Sequence, residues 1–345
     1  MENERVRIAD IADELGLSTA TVSNVIHGKT KKVSPETVKR VEALLEERQY
    51  IPSMAGILLA QNDSRIIGVV VNDHKKYEGH VLEDGFIAAS VNALAAEIDR
   101  AGCFMMVKTT TGWQEIAKYA SMWNMVGLVL IGFCEQDYQS LRNQMHIPFV
   151  IYDGFLEEGN GLVNLVIDHF DGGRQMGGHL KALGHTRALC ISDNDTDMDL
   201  LRFQGLQSEL PASELMLVPM KKREREAFYR KKKEELLRFS AVFAVSDYYA
   251  ADLIHFLSME GIEVPGEISV AGFDNSMLSG QICPALTTIG QDHRKRALAA
   301  VRLLKMLRDG ERPENVYTLP VQLIVRDSTM NSRETKNVEK EKRVF

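Results

Sequence analysis

A helical segment near the N-terminus carries the side chains best suited to chemistry with a macromolecular partner. Residues 18–27 read STATVSNVIH, and their apolar members recur with the spacing of a helix that buries one face. The other face carries short side chains with a methyl or hydrogen-bonding group: Thr19, Ala20, Thr21, Ser23 and Asn24. Such side chains allow a helix to enter the major groove of DNA and reach the base edges. The segment therefore indicates a DNA-reading helix, although a helical hairpin with solvated polar residues would show the same pattern.

The flanking residues supply the elements that would hold this helix in place. An apolar pattern over 8–15 predicts a preceding helix, and Gly16 allows a tight turn between the two. Ser18 is a favourable N-cap for the reading helix. Ser34, which is followed by a proline, predicts the start of a third helix that continues to Arg48. Three short helices in this order predict an all-α helix-turn-helix head.

From residue 66 onward, short apolar runs alternate with amphipathic helical stretches. This alternation predicts parallel sheets with right-handed crossovers. We expect a first series of strands at 66–71, 103–108, 126–132 and 147–153. We expect a second series at 162–168, 187–192, 215–219, 241–246, 268–274 and 286–290. Two series predict an α/β body with two similar lobes and a ligand cleft outside the carboxyl ends of the strands.

Length and composition limit the class of protein. A chain of 345 residues is too long for one compact core, and 45% hydrophobic with 26% charged residues is typical of a soluble globular protein. No apolar run is long enough to span a membrane, and the charged N-terminus does not resemble a signal peptide. The four cysteines are scattered without a CxxC pair. We therefore expect a cytoplasmic protein without disulfides, a zinc site or a membrane partner.

The charge balance predicts modest electrostatic attraction to DNA. The net charge is −7, and residues 1–65 contain nine basic against ten acidic residues. Basic side chains nevertheless cluster after the reading helix and on the third helix, at Lys29, Lys31, Lys32, Lys39 and Arg40. Since phosphate contacts supply much of the affinity for DNA, we expect salt-sensitive binding that requires two heads.

The order of these parts and a set of motifs in the body carry a resemblance to a known family. The motifs are LGH (183–185), RFQGL (202–206), AVFAVSDYYAADL (241–253), GIEVPGEISVAGFDN (261–275) and PALTTIGQD (284–292). Together with the three helices and the hinge, they resemble the LacI/GalR family of bacterial transcription regulators over residues 6–328. The resemblance implies a body like a periplasmic sugar-binding protein, which forms a homodimer and senses a small metabolite.

The resemblance also implies roles for individual residues of the head and hinge. Thr19, Ala20 and Asn24 match the positions that select operator bases, where asparagine can pair with adenine and the methyl groups suit thymine. Four further residues are expected to contact phosphates or cap the helix rather than select bases: Ser18, Thr21, Ser23 and His27. Leu59 matches the position from which a leucine enters the minor groove. The neighbouring positions lack the family's basic residues, and an apolar linker packed on the body is the alternative.

In the body, the resemblance places Arg202, Phe243 and Asp274 at an effector site. An arginine offers a fork of donors to hydroxyl groups or a carboxylate, an aspartate accepts from hydroxyl groups, and a phenylalanine can cover an apolar ligand face. Weaker candidates, just beyond other predicted strand ends, are Tyr77, Asp73 and Asp153. The alternative for Arg202 and Asp274 is a salt bridge between the lobes.

Other chemistry finds little support in the sequence. The alternating aspartates from Asp193 to Asp199 fail the calcium-loop pattern because Met198 stands where such a loop requires glycine. No GxGxxG follows the first strand, no GxxxxGK[ST] occurs, and no catalytic triad can be assigned. We predict no metal, no cofactor and no enzymatic activity.

These observations predict four segments: a head at 1–50, a hinge at 51–65, a two-lobed body at 66–330 and a charged tail at 331–345. The predicted protein is a transcription regulator, most simply a repressor, that binds a palindromic double-stranded operator as a homodimer. A small metabolite, a sugar or sugar derivative, is expected to control the affinity for DNA from the inter-lobe cleft. The alternative is a sugar-binding module without specific DNA recognition.

Overall fold

A computed structural model describes residues 6–51, 64–133, 135–145, 147–154 and 162–332. The chain forms two compact units, Met1–Ser64 and Arg65–Phe345. No helix in the described ranges is long and apolar enough to cross a membrane.

The head contains the three predicted helices: α1 (Ile8–Leu15), α2 (Thr19–Ile26) and α3 (Pro35–Glu47). Their facing sides enclose a small core of Ile11, Ala12, Val22, Val25, Val41 and Leu44. Gly16 has a φ of 64°, a left-handed conformation that glycine adopts at little cost, and it ends α1 before the turn. The hydroxyl group of Ser18 accepts a hydrogen bond from the Thr21 amide at 3.2 Å, which confirms the predicted cap of α2.

The first lobe of the body begins with β1 (Ile66–Asn72), α4 (Gly85–Arg100), β2 (Phe104–Thr110), α5 (Trp113–Met122), β3 (Gly127–Ile131), α6 (Glu135–Gln144), β4 (Phe149–Tyr152) and β5 (Val163–Ile167). The second lobe contains α7 (His169–Ala182), β6 (Leu189–Ser192), α8 (Asp197–Glu209), β7 (Glu214–Leu217), α9 (Lys222–Leu236), β8 (Ala241–Ala244), α10 (Asp247–Met259), β9 (Ser269–Asp274), α11 (Met277–Gln281) and β10 (Thr287–Gln291). The chain continues through α12 (His293–Arg308), β11 (Val316–Leu319) and β12 (Val321–Ile324).

Each lobe is built on its own sheet, as the two series of apolar runs predicted, and each sheet has six strands. The strand orders are β11-β5-β4-β3-β1-β2 and β12-β10-β9-β8-β6-β7. All neighbours are parallel except β10 and β12, which are antiparallel. Helices pack on both faces because the central strands β1, β3 and β9 are buried along nearly their whole length.

The predicted division of the strands between the lobes is wrong at one point. The run at 162–168 was expected to open the second lobe, but β5 pairs with β4 in the first sheet, with Val163 opposite Val150. The chain therefore crosses between the lobes three times: after β5, after β10 and between β11 and β12. An apolar run indicates a buried strand but does not specify which strand it pairs with. The strands β11 and β12 were not predicted, because they are short, half-exposed edge strands without a strong apolar signal.

Two glycines bring α7 and α8 into direct backbone contact in the second lobe. A Cβ atom added to Gly173 would lie 1.9 Å from the carbonyl oxygen of Arg202, and one added to Gly205 would lie 2.1 Å from that of Phe170. No side chain fits between backbones at this separation. The contact places Arg202 on α8 beside His169 at the start of α7.

The first prediction concerns this contact. We expect Gly173→Ala to destabilise the body by about 1–3 kcal/mol, because the added methyl group forces the two helices apart. The measurement is the urea midpoint of full-length protein followed by circular dichroism. Gly178→Ala is the matched control, since nothing lies within 4 Å of its added Cβ and alanine favours helix formation. Equal midpoints for the two variants would contradict the argument.

Candidate functional site

On α2, the residues predicted to contact bases are more exposed than most of those predicted to contact phosphates. Thr19, Ala20 and Asn24 are exposed, as is the capping residue Ser18. Thr21, Ser23 and His27 are half-buried. The Thr21 hydroxyl group lies 2.9 Å from that of Ser18, so these two side chains also stabilise the start of the helix. The exposed face of α2 is therefore short, neutral and able to hydrogen-bond.

The charges of the head are distributed so that its acidic residues oppose DNA less than their number suggests. Glu14 on α1 forms an ion pair with Arg48 at 2.7 Å. Asp10 accepts a hydrogen bond from the backbone amide of Arg7 at 2.7 Å at the start of the same helix. The exposed cations lie at Lys29, Lys31, Lys32, Lys39 and Arg40. Leu59, and the tail beyond Ser332, lie outside the described residues, so their predicted roles stay predictions.

In the body, three predicted effector residues belong to one buried polar network that begins at Asp153. This residue follows β4 in the first lobe, and its Oδ1 atom lies 2.7 Å from Nη2 of Arg296 on α12. The same oxygen lies 3.3 Å from Nε2 of His169. Burial alone would raise the pKa of Asp153, but the Arg296 guanidinium and the His169 hydrogen bond hold it below its ordinary value. Asp153 is therefore an ionised carboxylate whose Oδ1 atom has two partners.

His169 links this carboxylate to the second lobe. Nε of Arg202 donates to Nδ1 of His169 at 3.2 Å. Because arginine has no acceptor, Nδ1 must be the unprotonated ring nitrogen, and Nε2 carries the proton that is donated to Asp153. Burial also lowers the pKa of His169, in agreement with a neutral ring. Sequence reasoning missed His169, although it directly follows the strand end at which the chain changes lobes.

Arg202 is held on several sides and is only 8% exposed. Its Nη1 donates to the carbonyl oxygen of Val245, and its guanidinium carbon lies 3.9 Å from the ring centre of Phe273. Its ion pair is with Asp199, at 3.5 Å, rather than with Asp274. The alternative of a direct Arg202–Asp274 salt bridge is therefore not what the structure shows.

The aromatic residue at this site differs from the one suggested by the resemblance. Phe243 lies inside the core of the second lobe with 0% of its surface exposed, so its position does not favour ligand contact. Phe273 is the ring that stacks on His169 and under Arg202. Its position beside Asp274 at the end of β9 was the available signal, because the end of a strand faces the cleft and its middle does not.

The network continues from Arg296 to Asp274. Nη1 of Arg296 donates to Oε1 of Gln291 at 3.0 Å, and Nε2 of Gln291 donates to Oδ1 of Asp274 at 3.1 Å. Burial raises the pKa of Asp274 well above its ordinary value, against the lowering effect of Arg202. The φ of Asp274 is 112°, an unusual conformation for a residue with a side chain. Asp274 is thus a constrained acceptor that is costly to ionise.

On the second-lobe side of the network, Arg202 and Asp274 have hydrogen-bonding capacity left. In the described part of the chain, neither Nη2 of Arg202 nor Oδ2 of Asp274 makes a hydrogen bond. Neither atom is among the fully buried polar atoms that lack a partner, so both remain partly accessible. The arrangement therefore offers a donor and an acceptor at the carboxyl ends of the second-lobe strands.

Tyr77 and Asp73 lie beyond the end of β1, and no hydrogen bond or ion pair among the described residues joins their side chains to this network. Burial raises the pKa of Tyr77 to about 12, and Lys76 lies over its ring at 5.1 Å from the centre. Oδ1 of Asp73 is buried without a hydrogen-bond partner in the described ranges. Lys76 is within electrostatic reach of Asp193 and Asp199 of the second lobe. The described residues contain no group of three side chains suited to holding a metal ion.

The comparison with known proteins agrees with both units. Residues 7–53 match the protein family described as "Bacterial regulatory proteins, lacI family". Residues 178–329 match the family described as "Periplasmic binding protein-like domain". The chain thus combines a lacI-type helix-turn-helix domain with a periplasmic-binding-like domain.

Several lacI-family relatives match over nearly the whole chain. The transcriptional repressor PurR of Aliivibrio fischeri strain MJ11 is 29% identical over 94% of this chain and 98% of its own length. The transcriptional regulator DegA of Bacillus subtilis is 26% identical, covering 94% of this chain and 98% of its own. The lactose operon repressor of Escherichia coli is 25% identical over 94% of this chain and 91% of its own.

Solved structures show the same fold. A Lac repressor dimer bound to operator and the anti-inducer ONPF matches with a TM-score of 0.82 at 24% identity, over 95% of this chain and 100% of that chain. A complex of the regulator CelR with cellobiose matches with a TM-score of 0.67 at 22% identity, over 94% of this chain and 100% of that chain. Together with the lacI match of the head and the relatives above, this identifies the chain as a DNA-binding transcription regulator with an effector-binding type of body.

The second prediction concerns Asp247 of the regulator, which borders this site. Its carboxylate accepts hydrogen bonds from the Thr288 hydroxyl group and from the Ser276 amide, but burial raises its pKa to about 6. A folded-state pKa above the ordinary value of 3.8 means that the folded protein holds the proton more tightly than the unfolded chain. Stability from this group is therefore complete below pH 4 and falls as the pH rises to 6.

We expect Asp247→Asn to remove this fall, because an amide cannot ionise. The difference between the pH profiles of wild type and variant should be about 2–3 kcal/mol in free energy of unfolding across pH 4 to 6. Urea unfolding at half-unit pH steps measures it. Asp195→Asn changes an exposed carboxylate and serves as control. A variant that retains the wild-type slope would show that Asp247 titrates normally.

Proposed function

We propose that the protein is a transcriptional repressor that binds a palindromic operator as a homodimer. We further propose that a small polyhydroxylated metabolite between the lobes changes its affinity for DNA. The observation that carries the first part is the capped helix α2, whose exposed face presents Thr19, Ala20 and Asn24. The first residues of a recognition helix are those that reach base edges.

The support for a dimer on DNA is physical as well as comparative. A single head has only a small cluster of exposed cations, so the affinity from phosphate contacts is limited. Two heads related by two-fold symmetry would read two half-sites and combine their affinities. The Lac repressor structure with a similar fold contains such a dimer on its operator.

The support for a polyhydroxylated effector is the pair of free atoms in the network. A hydroxyl group both donates and accepts, so neighbouring ligand hydroxyls could accept from Nη2 of Arg202 and donate to Oδ2 of Asp274. Donation to Asp274 would offset the cost of its ionisation in a buried position. A phosphate group would instead place negative charge near this carboxylate. Similar folds have been solved with cellobiose and ribose.

Control of DNA binding would follow from the position of the network across both lobes. Asp153 and Arg296 belong to first-lobe elements, whereas Arg202, Gln291 and Asp274 belong to the second lobe. A ligand that binds Arg202 and Asp274 therefore favours one relative arrangement of the lobes. By linkage, the operator and the effector must change each other's affinity by the same factor.

The first experiment is selection of random duplex DNA with the full-length protein at low and moderate salt. Recovery of a palindrome that survives moderate salt supports specific recognition. Binding that is lost with salt and yields no consensus would favour the sugar-binding module without specific DNA recognition.

The third prediction uses that palindrome. We expect Asn24→Ala to weaken binding by about 1–3 kcal/mol and to relax selectivity at one position in each half-site, because a bidentate contact to one base is lost. Fluorescence anisotropy against the palindrome and its single-base variants measures both effects. Lys31→Ala is the control, since loss of a phosphate contact weakens all sequences equally and reduces the salt dependence. A uniform loss for Asn24→Ala would make it a backbone contact.

The fourth prediction separates the effector site from the head. A sugar that shifts the melting temperature is first identified with the wild-type protein. We expect Arg202→Ala to reduce affinity for that sugar by at least tenfold while operator affinity without sugar stays within about threefold, since Arg202 lies in the body. Calorimetry and anisotropy provide the two measurements. Lys181→Ala, at an exposed ion pair of the same lobe, is the control. Unchanged sugar affinity would remove Arg202 from the site.

A further inference from the structure

The helix α12 has a charge pattern that differs from the rest of the chain. Its sixteen residues, His293–Arg308, include six lysines and arginines and no acidic residue, in a protein whose net charge is −7. Arg296 is buried in the polar network. The other five cations are exposed: Arg294, Lys295, Arg302, Lys305 and Arg308. Neither the DNA-reading head nor the effector site uses this outer face of the helix.

An apolar groove runs along the same face. It has a volume of about 280 Å³ and is lined by Leu298, Leu303, Met306 and Tyr317, with Lys295 and Arg302 among its walls. Leu298 remains 56% exposed, so much of its apolar surface is open to a partner. The face thus combines apolar anchoring positions with positive charge.

The residues of the face follow one stripe of the helix. Positions 295, 298, 302 and 306 are spaced by three, four and four residues, so they lie on one side over about 16 Å. Lys295 forms an exposed ion pair with Asp292 at 3.5 Å, which is weak in water. No carboxylate of the described residues lies within ion-pair distance of Arg302 or Lys305. Two cations beside the groove therefore lack an intramolecular partner in the described part of the chain.

We propose that this face of α12 is the docking surface for an acidic amphipathic helix of a partner protein. An amphipathic helix of three to four turns has the length of the groove, and its apolar residues at i, i+3 or i+4 and i+7 would contact Leu298 and Met306. Its flanking carboxylates would pair with Arg302 and Lys305. Such a contact combines burial of the exposed leucine with electrostatic complementarity to an otherwise acidic protein.

Two other occupants fit the same surface less well. A second copy of this chain, bound through a two-fold axis, would place the cations of α12 against the identical cations of its partner. A small anionic amphiphile could reach both Arg302 and Lys305, which lie three residues apart on the helix, but it would not extend along the stripe of about 16 Å. The length of the stripe and the spread of its charges favour a helix.

The test uses a synthetic eighteen-residue helical peptide with leucines along one face and glutamates on both sides of them. Its binding to the full-length protein is followed by fluorescence anisotropy at low and moderate salt. A second peptide with lysine in place of glutamate reports charge specificity. We expect the glutamate peptide to bind and the lysine peptide to bind at least tenfold more weakly. Hydrogen-exchange protection should appear on α12 and β11.

A pair of double variants distinguishes the groove from net charge. Arg302→Glu with Lys305→Glu should weaken binding of the glutamate peptide at least tenfold. Arg223→Glu with Lys231→Glu changes two exposed cations of α9 by the same total charge and should stay within twofold of wild type. Leu298→Ala should weaken binding about fivefold without a change in the salt dependence.

Several results would overturn the proposal. Equal losses of affinity in the two double variants would show that peptide binding depends only on the net charge of the protein. Equal binding of both peptides would show that charge does not select the partner, and protection elsewhere on the protein would place the binding site outside α12 and β11. A smaller sedimentation coefficient for the α12 double variant alone would assign the face to a second copy. Displacement of the peptide by dodecanoate at similar concentration would assign it to a small amphiphile. Neither the operator nor the effector enters the test, so it is independent of the function proposed above.

Discussion

The ion pair between Asp153 and Arg296 is the interaction on which the arrangement of the body depends. The two side chains are 10% and 1% exposed, so each charge would be expensive if the other were missing. Further hydrogen bonds to the pair come from residues that are distant in sequence: His169 at Asp153, and Gln291 with the carbonyl oxygen of Leu165 at Arg296. These partners come from the points where the chain passes between the lobes. The contacts of this one buried ion pair therefore hold together the segments through which the chain passes between the lobes.

The groups around that pair receive their positions from backbone contacts rather than from their own chemistry. Arg202 reaches His169 because glycines at 173 and 205 allow α7 and α8 to touch. The neutral tautomer of His169 follows from this geometry, since an arginine donor on Nδ1 leaves only Nε2 to face Asp153. A protonated ring would put a hydrogen on Nδ1 and break the link to Arg202. The carboxylate and the guanidinium thus remain connected while the histidine stays uncharged.

The sequence allowed much of the fold to be predicted, because its signals are local. The helices of the head, the Ser18 cap and most strands of the body follow from apolar period and capping chemistry. The assignment of the run at 162–168 to the wrong sheet shows the limit, since pairing with β4 is a long-range property. Phe273 and His169 were missed for a related reason: their roles depend on which strand ends and helix starts meet in space. The resemblance named Phe243 one strand away, where the side chain is in the core.

The unused hydrogen-bonding atoms of the site indicate which kind of ligand can couple the lobes. A network that was satisfied at every atom would hold the lobes together without a ligand, and a ligand could then only compete with it. Here Arg202 uses Nε and Nη1 within the protein and Asp274 uses Oδ1, so a ligand can add contacts without displacing any. A hydroxylated ligand that spans donor and acceptor gains from the lobes' present arrangement and stabilises it. Differential affinity for one arrangement is the requirement for control of a distant head. The free atoms of Arg202 and Asp274 therefore matter more to regulation than the charges that are already paired.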